Sequence, residues 1–253
     1  MNLTLEGRTA LVTGANGGLG AHFAQTLAKA GAKVAIAARR IASLRAVPEA
    51  ITAAGGHAVP IALDVTKPTS VAEAIDAAAH ALGPITVVIN NAGIAVTKPV
   101  LDHTEEDWQQ VIDVNLNGGW RVAQAAARHM VKHGQGGSIV NIASILGLRV
   151  SAQIPSYAAS KAALIQLTKA MALELARHKI RVNALAPGYV ETGINREFFA
   201  SEPGQALIKR VPQRRIGRPE DLDGVLLLLA SDAGAYITGA VYAVDGGHLV
   251  SSR

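Results

Sequence analysis

The chain has 253 residues and a mass of 26.1 kDa, enough for one large core and short for two domains of ordinary size. Hydrophobic residues make up 49% and charged residues 17%, which excludes a disordered chain. With no cysteine, disulfides, thiol catalysis and cysteine-ligated metals are excluded, and a net charge of +5 without basic clustering argues against nucleic acid as a partner.

Apolar runs alternate with helical patterns along the whole chain. Ala10-Leu11-Val12 leads into Thr13-Gly14-Ala15-Asn16-Gly17-Gly18-Leu19-Gly20, and a helical pattern follows through Phe23 and Leu27 to Ala30-Gly31. Residues 33–38 form the next apolar run, 42–54 read as helix, and 58–63 as a third strand. Thr69 or Ser70 is placed to cap a helix to about Leu82, with Glu73 spaced for a capping box with Ser70. Residues 85–89 are a fourth strand, 104–128 helical, 138–142 strand, 156–175 helix, 181–185 strand, 219–229 helix and 240–244 a last strand.

The early strands are continuous apolar runs, as a parallel sheet covered on both faces requires. The expected fold is α/β: a Rossmann-type doubly wound sheet of seven mainly parallel strands with helices on both faces. One domain spans 1–253, and a small helical lid occupies 188–218. A β/α barrel would need an eighth strand. The N-terminal residues hold no apolar signal region, and no apolar run reaches roughly 18 residues. Both point to a soluble, cytoplasmic protein without membrane contact.

Strand, Gly14, Gly18, Gly20, helix is an arrangement that suits phosphate. A turn without side chains lets backbone approach a pyrophosphate, and the helix turns its free N–H groups toward it. The spacing departs from the commonest glycine fingerprint, and a tight strand–helix connection without ligand reads the same way. Where a dinucleotide site for NAD places an acid, this chain has Ala38-Arg39-Arg40. Two guanidiniums there fit a 2'-phosphate, which favours NADP(H) over NAD(H); a solvated surface pair is the alternative. Asp64, after strand three, could orient an adenine.

Tyr157 and Lys161 stand four apart on one predicted helix face. A cation beside a phenol favours the phenolate and lowers its pKa, giving a proton donor to a carbonyl or a base toward an alcohol. Ser144, just beyond the strand 138–142, can donate to the same oxygen.

Taken together, these residues resemble the short-chain dehydrogenase/reductase family. Its motifs appear in order: Thr13-Gly14 through Gly20, Asn90-Asn91-Ala92-Gly93, Asn115, Ser144, Tyr157 with Lys161, Pro187-Gly188, and Asp245-Gly246-Gly247. The likeness runs from residue 13 to 247. It implies interconversion of a ketone and a secondary alcohol by hydride transfer. Tyr157 would be the acid/base, Ser144 the carbonyl polariser, Lys161 a binder of the nicotinamide ribose, and Asn115 the holder of a proton-relaying water. Asn115 lies among Asn and Gly residues that oppose an uninterrupted helix, which suits a local kink.

The resemblance also implies a cofactor shell of Gly14, Asn16, Gly18, Leu19, Gly20, Arg39, Arg40, Asp64, Val65, Asn91, Ala92, Gly93, Tyr157, Lys161, Pro187, Gly188, Val190 and Thr192. Ile94 would stand at the nicotinamide end. No metal is called for. The substrate wall is expected from Ser144, Leu146, Arg149 and Ile154, with Ile145, Leu148 and Val150 alongside and Phe198 and Phe199 on the lid. This wall is mostly apolar and favours a hydrophobic ketone. Arg149 reads either as a carboxylate contact or as a solvent-facing charge.

Close alternatives are a 3-ketoacyl-carrier or CoA reductase and an NAD-dependent polyol dehydrogenase. The former would need a basic patch, for which Arg121, Arg128, Lys132, Lys169 and Arg177 are candidates. A cofactor-binding sensor is the non-enzyme alternative, which the intact catalytic set disfavours. The family also implies a homotetramer, through 104–131, the 156–177 helix and the C-terminal strand. His248 could approach a neighbouring subunit.

Overall fold

The apolar runs become parallel strands because both of their faces are covered. The computed structural model describes residues 3–44, 46–193 and 195–251. The described strands are β1 (Thr9–Thr13), β2 (Lys33–Ala38), β3 (His57–Ala62), β4 (Ile85–Asn90), β5 (Gly137–Ile142), β6 (Ile180–Pro187) and β7 (Val241–Val244). They form one seven-stranded sheet, ordered β3-β2-β1-β4-β5-β6-β7, with every pairing parallel. This matches the expected Rossmann-type sheet.

Successive residues of a strand point to opposite faces, so each strand feeds two cores. Val12, Val34, Ile36 and Ile89 enter one core, with Phe23 and Leu27 of α1 (Gly18–Lys29), Ile51 of α2 (Ala46–Ala53) and Leu226 of α9 (Asp223–Ala230). Leu11, Ala35, Ala37 and Val88 enter the other. There they meet Val71 and Ile75 of α3 (Pro68–Leu82), Val122 and Met130 of α5 (Gly119–His133) and Ala172 of α6 (Pro155–Leu175). A strand buried twice cannot afford polar alternation, which is why the runs are continuous.

The remaining helices are α4 (Glu105–Ile112), α7 (Arg196–Ala200) and α8 (Glu202–Ile208), the last two within the expected lid. The helix expected over 219–229 is a 3-10 turn, Pro219–Leu222, running into α9. The helix expected over 42–54 is split into a 3-10 turn, Ile41–Leu44, and α2. Among the described residues no helix is long and apolar enough to cross a membrane.

The start of α3 differs from expectation. Pro68 occupies the first turn, and neither Thr69 nor Ser70 caps it. Proline needs no N–H partner and arrives with helical φ, so the helix begins before Ser70. The Ser70 hydroxyl instead accepts the backbone N–H of Asp64 at 3.0 Å, fixing the loop after β3.

A buried polar thread ties the sheet centre to the helices that carry the site. Asn90 Nδ2 donates to the Gly119 carbonyl at 2.9 Å and to Asn141 Oδ1 at 3.0 Å. Asn141 Nδ2 donates to Thr168 Oγ1 at 2.9 Å, joining β5 to α6. Asn141 is fully buried, so removing it takes one hydrogen bond from each of two buried partners where water cannot replace it. Asn141→Ala is expected to lower stability by about 2 kcal/mol, read as a shift in the urea unfolding midpoint. An unchanged midpoint would show that the thread carries no stability.

Candidate active site

The strand order reverses direction between β1 and β4, and open α/β sheets bind ligands outside the strand ends at such a point. Here the glycine loop follows β1 and the Asn91-Ala92-Gly93 segment follows β4. The two are bonded together. Thr13 Oγ1 accepts the N–H groups of Asn91 and Ala92, both at 3.0 Å. Asn91 Nδ2 donates to the carbonyls of Thr13 at 3.0 Å and Gly14 at 3.2 Å.

Glycine is required in this loop for two reasons. Gly14 and Gly18 have φ of 65° and 52°, a region costly for other residues. A Cβ on Gly20 would stand 2.3 Å from the Gly14 carbonyl, and one on Gly14 would stand 2.8 Å from Ala92 Cα. The loop is thus pressed against the β4 end, with its backbone bare toward the cleft. Such a bare-backbone cradle, opening onto a helix N-terminus, fits a dinucleotide pyrophosphate.

A cleft of about 490 Å3 runs from this loop. Of the expected cofactor residues, Gly14, Asn16, Arg39, Asp64, Val65, Asn91, Ala92 and Gly93 line it. Thr66, Val96, Gln110 and Val114 line it too and were not expected. Arg39 lines the cleft near Asp64; burial pushes the Asp64 carboxyl up, but the Thr66 hydrogen bonds together with Lys67 and Arg39 bring it below its usual range. Asp64 Oδ1 accepts from Thr66 N at 3.0 Å and Thr66 Oγ1 at 2.7 Å. Arg40 is exposed and outside the lining; Gly18, Leu19 and Gly20 form the first turn of α1.

Pro187 ends β6, and Gly188, Val190 and Thr192 lie in the loop that follows it. A Cβ on Gly18 would lie 3.9 Å from Thr192 Cγ2, so the two loops face each other. Asn195 holds the second loop, accepting from Thr192 N at 2.7 Å and donating to the Val190 carbonyl at 2.9 Å. Gly188 allows close approach, since a Cβ there would stand 2.6 Å from Asp245 Cβ.

The kink expected around Asn115 is a π-helical stretch, Asp113–Gly118, between α4 and α5. It carries Asn115 inward to 1% exposure. There its Oδ1 accepts the Ile94 N–H at 2.8 Å, and its Nδ2 donates to the Ile94 carbonyl at 2.9 Å and Ser160 Oγ at 3.0 Å. Ser160 Oγ donates to the Tyr157 carbonyl at 2.8 Å. Sequence reasoning assigned Ser160 no role; its place one helical turn beyond Tyr157 was the available signal.

Lys161 is 4% exposed, and its Nζ donates to the Ile142 carbonyl at 2.7 Å and lies 5.6 Å from the Tyr157 ring centroid. Burial lowers its pKa from 10.5 to about 8. Ser144 reaches Tyr157 as a hydrogen-bonding neighbour, because the turn that follows it packs on α6. Gly147 makes that possible: a Cβ there would stand 2.7 Å from the Lys161 carbonyl carbon.

The expected lowering of the Tyr157 phenol is not met by the protein's own groups. Burial raises it, the Ser144 hydrogen bond opposes, and Tyr189 adds to the rise. Lys161 directs its ammonium to the Ile142 carbonyl and the ring face rather than to the phenol oxygen.

The residues expected in the substrate wall range from buried to exposed. Arg149 is half-buried, and its Nη1 donates to the His248 carbonyl and, at 3.4 Å, to Ser251 Oγ. His248 is itself buried within the chain at 6% exposure rather than presented to a neighbour. Leu148 and Val150 are exposed, Leu146 and Ile154 half-buried, Phe199 buried and Phe198 half-exposed on the lid. Tyr189, which sequence reasoning passed over, stands between Phe199 and His248, with ring centroids 6.1 Å and 5.4 Å away. Of the candidate basic-patch residues, two lie together and one is ion-paired. Arg121 pairs with Asp113 at 2.8 Å, while Arg128 and Lys132 line a groove between α5 and α6.

The buried Lys161 makes a stability prediction. Its native pKa lies below its unfolded value, so between about pH 8 and 10.5 the unfolded chain binds more protons and wild-type stability rises with pH. Lys161→Met removes that penalty. The variant is expected to be more stable at pH 7 by roughly 1–3 kcal/mol, and the gap to close by pH 10. Urea midpoints at the two pH values check this; a gap that widens with pH would contradict it.

A family profile described as Enoyl-(Acyl carrier protein) reductase matches residues 14–248. The 2-dehydro-3-deoxy-D-gluconate 5-dehydrogenase of Escherichia coli is 38% identical over 97% of both chains. The 3-oxoacyl-[acyl-carrier-protein] reductase of Thermotoga maritima is 37% identical over 98% of this chain and 100% of its own. Among solved structures, a gluconate 5-dehydrogenase from Burkholderia cenocepacia, in complex with NADP and tartrate, superposes with a TM-score of 0.94. It shares 37% identity and covers 99% of this chain and 98% of that one. A glycine-cradled cleft, a Ser–Tyr–Lys cluster beside it and relatives matched end to end agree: the chain belongs to the short-chain dehydrogenase/reductase family, oxidoreductases acting on CH–OH groups with NAD(P).

Proposed function

We propose that this protein is an NADP(H)-preferring oxidoreductase that interconverts a ketone and a secondary alcohol. The observation that carries this reading is the grouping of Ser144, Tyr157 and Lys161 behind Gly93, which lines the glycine-cradled cleft and whose Cβ would stand 3.5 Å from Lys161 Nζ. Arg39 lining that cleft, with no acid at the end of β2, supports NADP(H). So do the solved relatives bound to NADP.

When bound, the nicotinamide supplies or accepts a hydride. The chain's own groups manage the oxygen and the proton. Ser144 and Tyr157 offer hydroxyl donors to one carbonyl oxygen, where negative charge develops. The raised phenol pKa keeps Tyr157 protonated and ready to donate. Lys161, with a pKa of about 8, changes protonation near working pH and can return the proton.

Gly93 leaves room for the relay. The point where its Cβ would stand is 3.3 Å from Asn115 Oδ1 and 3.5 Å from Lys161 Nζ. With no side chain on Gly93, the space between Asn115 Oδ1 and Lys161 Nζ is left for a water that bridges the two groups. Asn115 is thus both a positioning residue, through Ser160, and one wall of the proton path. The segment 188–218 acts as a lid on a single domain spanning the chain. Copies associate into a tetramer, with one contact through the α5–α6 groove and the half-exposed Trp120. Relatives named as sugar-acid dehydrogenases and as an acyl-carrier reductase make those two substrate classes the alternatives.

Tyr157→Phe tests the acid/base role. Turnover is expected to fall by at least about a hundredfold while NADPH still binds with near wild-type affinity by calorimetry. Full activity would overturn the assignment. Arg39→Asp tests cofactor choice. The kcat/KM ratio of NADPH to NADH is expected to drop by about tenfold or more. An unchanged ratio would make Arg39 mere surface charge.

A further inference from the structure

Beyond Tyr157 the wall of the site continues outward through a connected series of side chains. Tyr189 lies close enough that its charge would oppose ionisation of Tyr157. Its ring tilts over His248, with centroids 5.4 Å apart. His248 is 6% exposed, and its Nδ1 has no hydrogen-bond partner. Burial, Arg149 and Arg210 lower its pKa against an opposing pull from Asp245, which places two guanidiniums beside it.

Past His248 lies a cavity of about 960 Å3, lined by Lys209, Arg210, Arg214, Val250 and Ser251 together with Val211 and Pro212. Among the described residues three cations and no acid face it; all three cations are exposed, and Arg214 Nη1 also donates to the Lys209 carbonyl. Among the described residues, none of the three cations forms an ion pair. The nearby acids are engaged elsewhere. Asp245 accepts the N–H groups of Gly247 at 2.9 Å and Leu249 at 2.6 Å, and Asp221 pairs with Arg215 at 2.6 Å. The backbone carrying the cations is fixed: Gln213 N donates to the Gly246 carbonyl at 3.2 Å, and Val211 is buried. Uncompensated positive charge beside a polar wall calls for an anion.

We infer that this cavity receives an anionic group of the substrate, a carboxylate or phosphate remote from the reacting carbon, which lies at Ser144 and Tyr157. The substrate class is then an acid-bearing ketone or secondary alcohol, not the hydrophobic ketone that the sequence favours. This rests on the oxidoreductase reading above. The anion belongs either to a small keto acid or to the phosphates of a coenzyme A thioester.

Two substrate pairs separate these sources: short keto acids against their methyl esters, and a 3-ketoacyl coenzyme A against the same acyl group on N-acetylcysteamine. In the wild type, the charged member of one pair is expected to lead in kcat/KM by about tenfold or more. In a Lys209→Gln/Arg210→Gln variant that lead should shrink toward parity, through KM, with the mass of the assembly unchanged. Calorimetric binding of the charged member to NADP-saturated protein should weaken by about tenfold in the variant. Equal kcat/KM within both wild-type pairs overturns the anion site, as does an equal loss for charged and neutral members. A changed assembly mass also overturns it and assigns the cations to subunit contact. Should no carbonyl turn over, calorimetry still decides the anion site, and the oxidoreductase reading fails separately.

Discussion

The site depends on the carboxamide of Asn115. It closes two hydrogen bonds with the backbone of Ile94 and a third with Ser160. Those bonds join the loop after β4, the π-helical stretch and the helix that carries Tyr157 and Lys161. A regular helix would rotate each residue by its usual angle; the π turn inserts an extra residue and brings Asn115 to the interior. The cofactor cleft and the Tyr157–Lys161 face are thereby held in one frame. The Asn90–Asn141–Thr168 thread repeats the device one layer deeper, so the positioning is built from buried polar bonds instead of loops.

Charge placement follows from that frame. Lys161 is buried with the Ile142 carbonyl as its hydrogen-bond acceptor, at a cost the rest of the fold absorbs. That same burial brings its pKa down to about 8, where a proton can be taken and returned. Burial acts in the opposite sense on Tyr157 and keeps the phenol protonated. One physical cause, loss of water, thus moves the two groups apart on the pH scale, the lysine down and the phenol up. The glycines serve the frame as well. Gly20, Gly147 and Gly188 each stand where a Cβ would strike backbone or a Cβ of a facing segment, so close approach is written into the chain at three separate joints.

Much of this was legible in the sequence. β2 was placed at both ends because an apolar run stands between glycine and paired arginines. The Tyr157–Lys161 pair was legible because a four-residue spacing fixes a helix face. The kink at Asn115 was legible from the Asn and Gly residues around it. What escaped were partnerships set by distant segments. Arg149 sets its Nη1 on a carbonyl 99 residues away, and nothing local announces that. Ser70 was misread because its hydroxyl serves the preceding loop while Pro68 starts the helix. Tyr189 and Ser160 gain their meaning only when β6 and α6 are side by side. The phenol pKa was misjudged because adjacency in sequence does not say which atom of Tyr157 the ammonium faces.

The most direct measurement is nicotinamide absorbance with the purified protein, NADPH and NADH side by side, against aryl ketones, 3-ketoesters, 3-ketoacyl thioesters, diketones and keto acids. Turnover that is faster with NADPH is the predicted result. Absence of turnover with either cofactor, in both the reducing and the alcohol-oxidising directions, would contradict an oxidoreductase built on Ser144, Tyr157 and Lys161.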